Sequence, residues 1–479
     1  MKKQLFLFLV IIAFPVLVSA QPCLPDGITF TTQSQIDSFQ INYPGCTEIE
    51  GDVTIDGNQI TNLNGLSVLT SIGGSLTVKY TETLTSLGGL DNVTSIWGWL
   101  NIKYNQSLTS LTGLDNVTFI ENLEIRSNPL TSLAGLDNVT SIGGSLYVSG
   151  NGALTSLAGL DNVTSIGNRL EIVSNHSLTS LTGLDNVTSI GGSLEVNNNE
   201  SLASIAELDN VTSIDGSIRI FANDALTSLA GLDNVTSIGG SLSFSGNEAL
   251  TSLAGLDNVT SIGGSLVLSD NESLTSLAGL NNVTSIGEDL WIGEYALGEW
   301  RGNPSLTSLQ GLNNLSSIGG TLAVLCNISL TSLTGFDNID AGSISHLFIC
   351  INQLLSTCEV QSVCDYLSSP NGTIDIHDNA PGCNSPEEVQ EACEAVAIPS
   401  VDAQAVTLFY PNPAESFIFV KGTNQSVVQQ VSIYNQMGQR VLQKEQAVGM
   451  IDVSRLLPGM YVIEIFSGEL RTREKLIIQ

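Results

Sequence analysis

The feature that most constrains this chain is a single sequence that repeats with a period of 24 residues. One copy reads Leu-Thr-Ser-Leu-Ala-Gly-Leu-Asp-Asn-Val-Thr-Ser-Ile-Gly-Gly-Ser-Leu-x-Val-x-x-Asn. Stacked copies can bury a continuous core that no single copy could bury, so this regularity predicts a solenoid. Two residues are missing before Asp137, and eight extra residues precede Asn313. The Asp-Asn pair or its Asn-Asn substitute begins at Asp91, Asp115, Asp137, Asp161, Asp185, Asp209, Asp233, Asp257, Asn281, Asn313 and Asp337.

Each copy predicts one short strand that is followed by turns. In Leu146-Tyr147-Val148 the alternation places Leu146 and Val148 inward and Tyr147 outward. Asn151 follows Val148 by three residues, and we expect its buried amide to bond the backbone of the next coil. The other apolar residues recur three apart, which favours a chain that turns corners over a long helix. The fold class is therefore all-β dominated, a parallel β-solenoid with about twelve coils.

This pattern resembles the leucine-rich repeat, L-x-x-L-x-L-x-x-N-x-L, over residues 51–340. More narrowly, it is similar to the receptor L-domain-like, β-helical relatives found in bacterial surface proteins. The resemblance implies a scaffold whose outward strand positions recognise a partner. The short returns rich in glycine and threonine differ from repeats that carry a helix on the outer side.

A solenoid exposes its apolar core at both ends, so we expect lids at residues 21–50 and 341–397. Thr32-x-x-Gln35, Ser356-x-x-Glu359 and Ser385-Pro386-x-Glu388 each predict the start of a helix. Between the last two, residues 374–379 repeat the strand signature and predict one more coil. An even number of cysteines in an exported chain favours disulfides, whose pairing the sequence leaves open. The candidates are Cys23, Cys46, Cys326, Cys350, Cys358, Cys364, Cys383 and Cys393.

Metal and cofactor sites are not predicted. No pair of cysteines has zinc-ligand spacing with a histidine nearby in the sequence. Stacked aspartates about 5 Å apart would repel each other by about 0.8 kcal/mol per neighbour in water. Each aspartate is therefore expected to cap its own turn by a hydrogen bond, with calcium bridging as the alternative.

The N-terminus predicts an exported chain. Residues 1–20 have a basic start, a short apolar core and a small-residue end, which is typical of a secretory signal peptide. The rest of the sequence offers no membrane span.

The formal net charge of −32 argues against a nucleic-acid partner. Residues 21–400 carry that charge, whereas the last 79 residues are neutral, which predicts a domain boundary near residue 400.

The segment 398–479 predicts a small β-sandwich of short alternating strands. It also resembles the type A C-terminal sorting domain of the bacterial type IX secretion system. The resemblance implies that the secretion machinery is a partner, and that the chain reaches the outer-membrane surface or the extracellular space. The matching residues are 410–414, 433–435 with Gly438 and Gln439, 457–461 and 475–479.

Comparison of the copies with one another separates the core from a variable face, because most columns are constant and the outward strand columns are not. We expect a glycan or protein ligand to bind this face. Cationic and aromatic side chains concentrate on early coils, and aromatic side chains return in the long copy; in both places they suit sugar stacking and anionic groups. Ordinary surface variation, or aromatics that cover their own coil, would give the same pattern. The candidates are Lys79, Tyr80, Trp97, Trp99, Lys103, Tyr104, Arg126, Tyr147, Trp291, Tyr295 and Trp300.

Two other functions compete with binding. A structural spacer of a surface layer would need the scaffold but no ligand. A β-helical polysaccharide hydrolase would need paired carboxylates, for which Glu171 and Glu195 fall in one column on adjacent coils. No loop frames that pair, and the histidines have no nucleophile motif nearby, so we expect a binding protein and not an enzyme.

Overall fold

The computed structural model describes residues 22–296, 298–396, 408–421, 428–445, 449–467 and 470–479. The repeat region forms a parallel β-solenoid of about 15 turns, and the helices of the described residues account for 8% of the chain. The main sheet takes one strand from each turn. Its strands are Ile28–Phe30, Val53–Asp56, Leu76–Lys79, Ser95–Lys103, Phe119–Arg126, Leu146–Ser149, Leu170–Val173, Leu194–Asn197, Ile218–Phe221, Leu242–Ser245, Leu266–Ser269, Leu290–Ile292, Thr321–Leu325, His346–Cys350 and Ile374–His377.

The register of the main sheet matches the repeat. Tyr147 pairs with Glu171, Glu171 with Glu195, and Glu195 with Arg219, so equivalent residues of successive copies lie side by side. Leu146 and Val148 are buried, whereas Tyr147 faces outward, as predicted. A row of shorter parallel strands marks the next side of the coil: Pro22–Cys23, Glu48–Ile49, Ser71–Ile72, Ser141–Ile142, Ser165–Ile166, Ser189–Ile190, Ser261–Ile262, Ser285–Ile286 and Ser317–Ile318.

The predicted asparagine ladder runs through the interior beside the main sheet, but each amide bonds the backbone of the preceding coil and not that of the next one. The side-chain oxygen of Asn199 accepts from the backbone N–H of Asn175 at 3.0 Å. Its Nδ2 donates to the carbonyl of Ile172 at 2.9 Å and to the side-chain oxygen of Asn223 at 3.2 Å. Asn199 is fully buried, so these bonds satisfy backbone groups that water cannot reach.

Glycine is required where neighbouring coils come closest. Gly159 has a φ of 112°, and a Cβ on it would lie 2.2 Å from the carbonyl oxygen of Leu133 on the preceding coil. A side chain there would meet both an unfavourable backbone conformation and a clash with rigid backbone. In one copy Glu207 takes this position, and the segment Ala206–Leu208 forms a turn of 3₁₀ helix instead.

The recurring Asp-Asn pair bonds the backbone within and between coils. The carboxylate of Asp161 accepts from the N–H of Gly159 in its own turn at 2.7 Å, as predicted for a capping role. The Nδ2 of Asn162 donates to the carbonyl of Asp137 on the preceding coil at 2.7 Å. Where asparagine replaces aspartate at Asn281, Gly279 keeps a φ of 112°. The turn therefore does not depend on a carboxylate.

The caps extend the coil, which is why there are more turns than the twelve predicted. Ile28–Phe30 and Ile374–His377 both pair with the main sheet, the second as predicted. The helices are Gln33–Asp37, Phe39–Asn42, Gln361–Ser368 and Pro386–Val396, and the remaining 3₁₀ turns are Asn64–Leu66 and Ala341–Ser343.

Two of the three predicted helix starts are confirmed. Thr32 and Gln35 form a capping box, and the hydroxyl of Ser385 accepts from the N–H of Glu388 at 3.2 Å. The start at Ser356 is wrong. Its neighbour Thr357 forms a parallel bridge with Ser332, and that pairing delays the helix until Gln361.

The disulfide prediction holds for six of the eight cysteines. Cys23 bonds Cys46 and Cys358 bonds Cys383, one pair in each cap, while Cys364 and Cys393 are also disulfide-bonded. The prediction is wrong for two, because Cys326 and Cys350 are free thiols. These two belong to successive main-sheet coils, and a backbone hydrogen bond of 3.1 Å joins the N–H of Cys326 to the carbonyl of Cys350.

The residues after the second cap form the predicted sandwich of two antiparallel sheets. Both sheets contribute to one buried core, which includes Ile418 and Ile451 from the first and Ile433, Ile463 and Leu476 from the second. The first sheet contains Leu408–Tyr410, Phe417–Lys421 and Gly449–Asp452, and the second contains Arg440–Glu445, Val428–Tyr434, Gly459–Ser467 and Leu470–Ile478.

The residues that carry the sorting-domain resemblance hold this sandwich together. The side chain of Asn412 accepts from the N–H of Ile477 at 2.8 Å and donates to the carbonyl of Lys475 at 2.7 Å. Ala414 is fully buried and pairs with Ile478. The motif near residue 410 therefore fixes the last strand of the chain.

The chain divides into two compact units between Gln390 and Glu391. The predicted boundary at residues 397 and 398 and the signal peptide at residues 1–20 lie outside the described residues. Among the described residues, no helix is long and apolar enough to cross a membrane.

We predict that one rung of the ladder contributes far more stability than an exposed asparagine. Asn199→Leu leaves the N–H of Asn175 and the carbonyl of Ile172 buried without partners, which should cost about 2–5 kcal/mol. The control Asn186→Ala removes one exposed hydrogen bond, to the carbonyl of Asp161, and should cost less than about 1 kcal/mol. Urea unfolding followed by circular dichroism measures both, and equal losses would contradict the ladder.

We also predict that the aspartate column acts without calcium. Asp185→Asn should change the unfolding free energy by less than about 1 kcal/mol, because the turn persists at Asn281 without a carboxylate. Millimolar Ca²⁺ should leave the thermal unfolding midpoint of the unmodified chain unchanged. A midpoint that rises with Ca²⁺, and rises less in the variant, would show that calcium bridges the coils.

Candidate functional site

Two neighbouring coils differ from the rest at a corner of the solenoid. Most copies bend there at Gly-Gly-Ser, which separates a two-residue strand from the main strand. In the strands Ser95–Lys103 and Phe119–Arg126 the chain runs through this corner without a break, for nine and eight residues. The pairing of these two strands therefore extends through the corner, with a register shift between Ile96 and Trp99.

Trp97 and Trp99 occupy the positions of the first glycine and the serine in this corner. Trp97 is 64% exposed and its ring centroid lies 6.2 Å from that of Phe119. Trp99 was predicted to be exposed, but it is partly buried because its ring stacks on Tyr147 at 5.8 Å across the intervening coil. The stacked pair presents ring faces and edges that are already held in place.

A second aromatic pair directly follows the ends of the strands Leu76–Lys79 and Ser95–Lys103. Tyr80 and Tyr104 stack almost parallel, with ring centroids 5.4 Å apart and an angle of 7° between the planes. The ammonium of Lys79 lies 5.7 Å from the centroid of Tyr80, and the guanidinium of Arg126 lies 5.6 Å from that of Tyr104. Cation–π attraction therefore holds both rings from their outer sides.

The predicted cationic stripe is largely neutralised. Lys79 lies 3.3 Å from the carboxylate of Asp56, and Lys103 lies 3.0 Å from that of Glu124. Arg126 has no carboxylate within ion-pairing distance among the described residues.

The eight candidate residues on the early coils are named the aromatic–cation face: Lys79, Tyr80, Trp97, Trp99, Lys103, Tyr104, Arg126 and Tyr147.

The three later candidates lie on a separate part of the solenoid. The eight extra residues form an antiparallel hairpin, Glu294–Ala296 with Glu299–Arg301, in which Tyr295 faces Trp300 at 4.7 Å. Both rings are about half exposed. Arg301 fixes the base of the hairpin through an ion pair of 2.9 Å with Asp270. Trp291 is instead partly buried and stacks on Phe348, which the sequence did not single out.

The two carboxylates considered for hydrolysis are held in an ion-pair network. Glu171 and Glu195 are register partners, and the guanidinium of Arg169 bonds both of them. Burial raises the pKa of Glu171, and the charge of Arg169 opposes that rise. The arginine occupies the space between the carboxylates that a glycosidic bond or a water would need.

One cluster was missed by reasoning from the sequence because its members lie one coil apart. Cys350, Asp375 and His377 bring a sulfur, a carboxylate oxygen and a ring nitrogen within 4.8 Å of one another. Spacing along the chain hides such sets, but residues separated by one period are neighbours in a solenoid. Burial raises the pKa of the Cys350 thiol to about 12 and that of Cys326 to about 11, so both thiols are protonated at neutral pH unless a metal ion displaces the proton.

Two known families match this chain. The BspA type leucine rich repeat region matches in six copies, over residues 79–203, 171–297 and 217–341. The secretion system C-terminal sorting domain matches residues 408–479. No curated protein gives a significant match.

The repeat family covers more than half of the chain, and the matched residues lie within the solenoid. The sorting domain coincides with the C-terminal sandwich and indicates export to the cell surface or the extracellular space. The chain therefore belongs to the BspA-type leucine-rich repeat proteins and ends in a secretion system C-terminal sorting domain.

Proposed function

We propose that this exported protein is an adhesion or recognition protein that binds a glycan through the aromatic–cation face. The observation that carries the proposal is the pair Trp97 and Trp99 at a corner where the other copies place glycine and serine. The scaffold does not need these rings, since the equivalent corners fold without them. Exposed aromatic side chains that cluster on one face, as Trp97 does with its neighbours, mark a candidate binding surface.

The geometry of the face suits an extended sugar chain. Trp99 lies on the strand Ser95–Lys103 and Tyr104 directly follows it, so the backbones of these two residues, five apart, are separated by roughly 16 Å at most. Rings held in advance by stacking lose little freedom when they bind, so more of the contact energy appears as affinity. The amide of Asn101 donates to the hydroxyl of Thr77 at 3.2 Å, and the remaining donor and acceptor capacity of these two groups can bond sugar hydroxyls.

The charge of the face limits the ligand. Residues 21–400 carry 40 acidic side chains, so a highly charged polyanion would be repelled by the solenoid as a whole. Arg126 offers one guanidinium without an ion-pair partner in the described part of the chain, and its fork geometry matches a carboxylate. We therefore expect a neutral or sparsely carboxylated glycan. A protein ligand with an exposed carboxylate beside apolar groups is the second candidate.

Two alternative functions remain from the sequence. A surface-layer spacer would explain the solenoid but not the altered corner. A hydrolase is disfavoured by the arginine between Glu171 and Glu195. Turnover of a polysaccharide that Glu171→Gln abolishes would overturn that ranking.

The hairpin is a further candidate surface, supported by the exposed pair Tyr295 and Trp300. It lies several coils from the aromatic–cation face. A ligand long enough to reach both would bind more tightly than either contact alone allows.

The decisive variant restores the repeat consensus at the corner. Trp97→Gly with Trp99→Ser installs the residues that other copies use, so the coil should still fold. Each buried ring of a binding hot spot contributes about 1–2 kcal/mol, so glycan affinity should fall at least tenfold. Binding of the purified chain is screened on a glycan array and then measured by calorimetry.

The matched control is Phe221→Ala, which removes an aromatic side chain from the same sheet outside the face. Its affinity should equal that of the unmodified chain. If the Trp97 and Trp99 variant binds every array ligand as well as the unmodified chain does, the proposed site is wrong. If the unmodified chain binds no ligand, the spacer is favoured.

A further inference from the structure

We propose that Cys350, Asp375 and His377 form a binding site for a divalent transition-metal ion of the zinc class. The three residues lie on the outward face of the last two main-sheet strands, His346–Cys350 and Ile374–His377. Cys350 pairs with His377 in the register of these strands, and Asp375 lies on the same face two residues before His377. The strand register therefore brings the three donors together without any loop.

The donor set fits zinc by chemistry and by distance. Thiolate, imidazole and carboxylate are the three side-chain ligands that Zn²⁺ takes in proteins, at about 2.0–2.3 Å. Donors on one tetrahedral ion are then separated by about 3.5 Å. The three atoms lie within 4.8 Å of one another, so side-chain rotation closes the set without a change of backbone. Calcium and magnesium prefer all-oxygen sites and are poor fits.

The imidazole is already oriented for a ligand. The Nδ1 of His377 lies 2.9 Å from the carboxylate of Asp378, and its Nε2 faces Asp375 at 3.6 Å. A carboxylate on one ring nitrogen fixes the tautomer and leaves the other nitrogen free to bind a metal. Asp378 has a φ of 55°, so a turn directly after the strand places its carboxylate beside the ring.

The surroundings of the sulfur also favour a bound ion. Cys350 is buried in a small apolar cluster on the outside of the sheet, with Ala323 and Leu325 and with Phe348 packed against it. Asp375 is exposed and His377 is partly exposed, which leaves an entry from solvent. A metal–thiolate bond at the edge of an apolar floor is shielded from competing water.

Three protein donors leave one tetrahedral position for water or for a ligand from outside.

The other free thiol, Cys326, lies on the preceding coil and does not belong to the set of three. Its place beside Cys350 allows a rival state, a disulfide between the two. That state would consume the sulfur and abolish the site.

Cobalt titration of the purified full chain tests the site directly. Co²⁺ should produce tetrahedral d–d absorption together with a thiolate-to-cobalt charge-transfer band. Zn²⁺ should displace the cobalt, and excess Ca²⁺ should not. Cys350→Ser should remove the charge-transfer band, and His377→Ala should weaken binding at least tenfold. Asp378→Gly, which suits the positive φ, should weaken binding about 10–100-fold.

Two controls separate this site from general metal binding by an acidic protein. His176→Ala removes a histidine 3.5 Å from Glu200, a similar pair without a thiol, and should bind cobalt like the unmodified chain. Cys326→Ser removes the disulfide partner and should retain the charge-transfer band. The proposal is overturned if Cys350→Ser keeps the band or if Cys326→Ser loses it. A disulfide between Cys326 and Cys350 in the unreduced chain would also overturn it.

Discussion

The buried asparagine ladder is the interaction on which the rest of this solenoid depends. Each coil must turn away from the main sheet at a point where its backbone groups are buried, and a turn cannot supply their partners. The asparagine amide supplies them: it accepts from an N–H and donates to a carbonyl of the preceding coil, and it donates to the asparagine side chain of the next coil. Because every rung needs a neighbour on both sides, the ladder joins the coils into one cooperative array and sets their spacing.

The ladder has two ends, one at Thr81 in the third main-sheet coil and one in the C-terminal cap. At one end the hydroxyl and N–H of Thr81 both donate to the side chain of Asn105, at 2.8 and 3.2 Å. At the other end the N–H of Asn379 donates to Asn384, and its Nδ2 donates to the carbonyl of Cys383 at 2.9 Å. The disulfide of Cys383 with Cys358 holds this terminating segment in place. The C-terminal cap thus completes hydrogen bonds as well as covering apolar core.

Features that follow from a periodic or local sequence pattern were predicted correctly. The direction of Tyr147, the burial of Asn199, the final coil at Ile374 and the tail sandwich each depend on a local pattern with one physical solution. The predictions were wrong or incomplete for features that depend on contacts between different coils. The ring of Trp99 stacks on Tyr147, two coils away. Thr357 forms a bridge with Ser332, where the sequence predicted a helix that starts at Ser356. Cys326 and Cys350 remain thiols, and the cluster of Cys350, Asp375 and His377 appears only once the register of the last strands is known.

The central claim is that one period makes one turn, so that equivalent outward residues form a single straight column. Pulsed electron paramagnetic resonance measures distances along this column directly. One spin label replaces the side chain of Tyr147, and the second replaces that of Arg219, Val267 or Trp291. These positions lie three, five and six coils from Tyr147, and the backbone spacing predicts distances of about 14, 24 and 29 Å. A linear rise with the number of coils is the expected result. Distances that do not follow the number of coils would contradict the account.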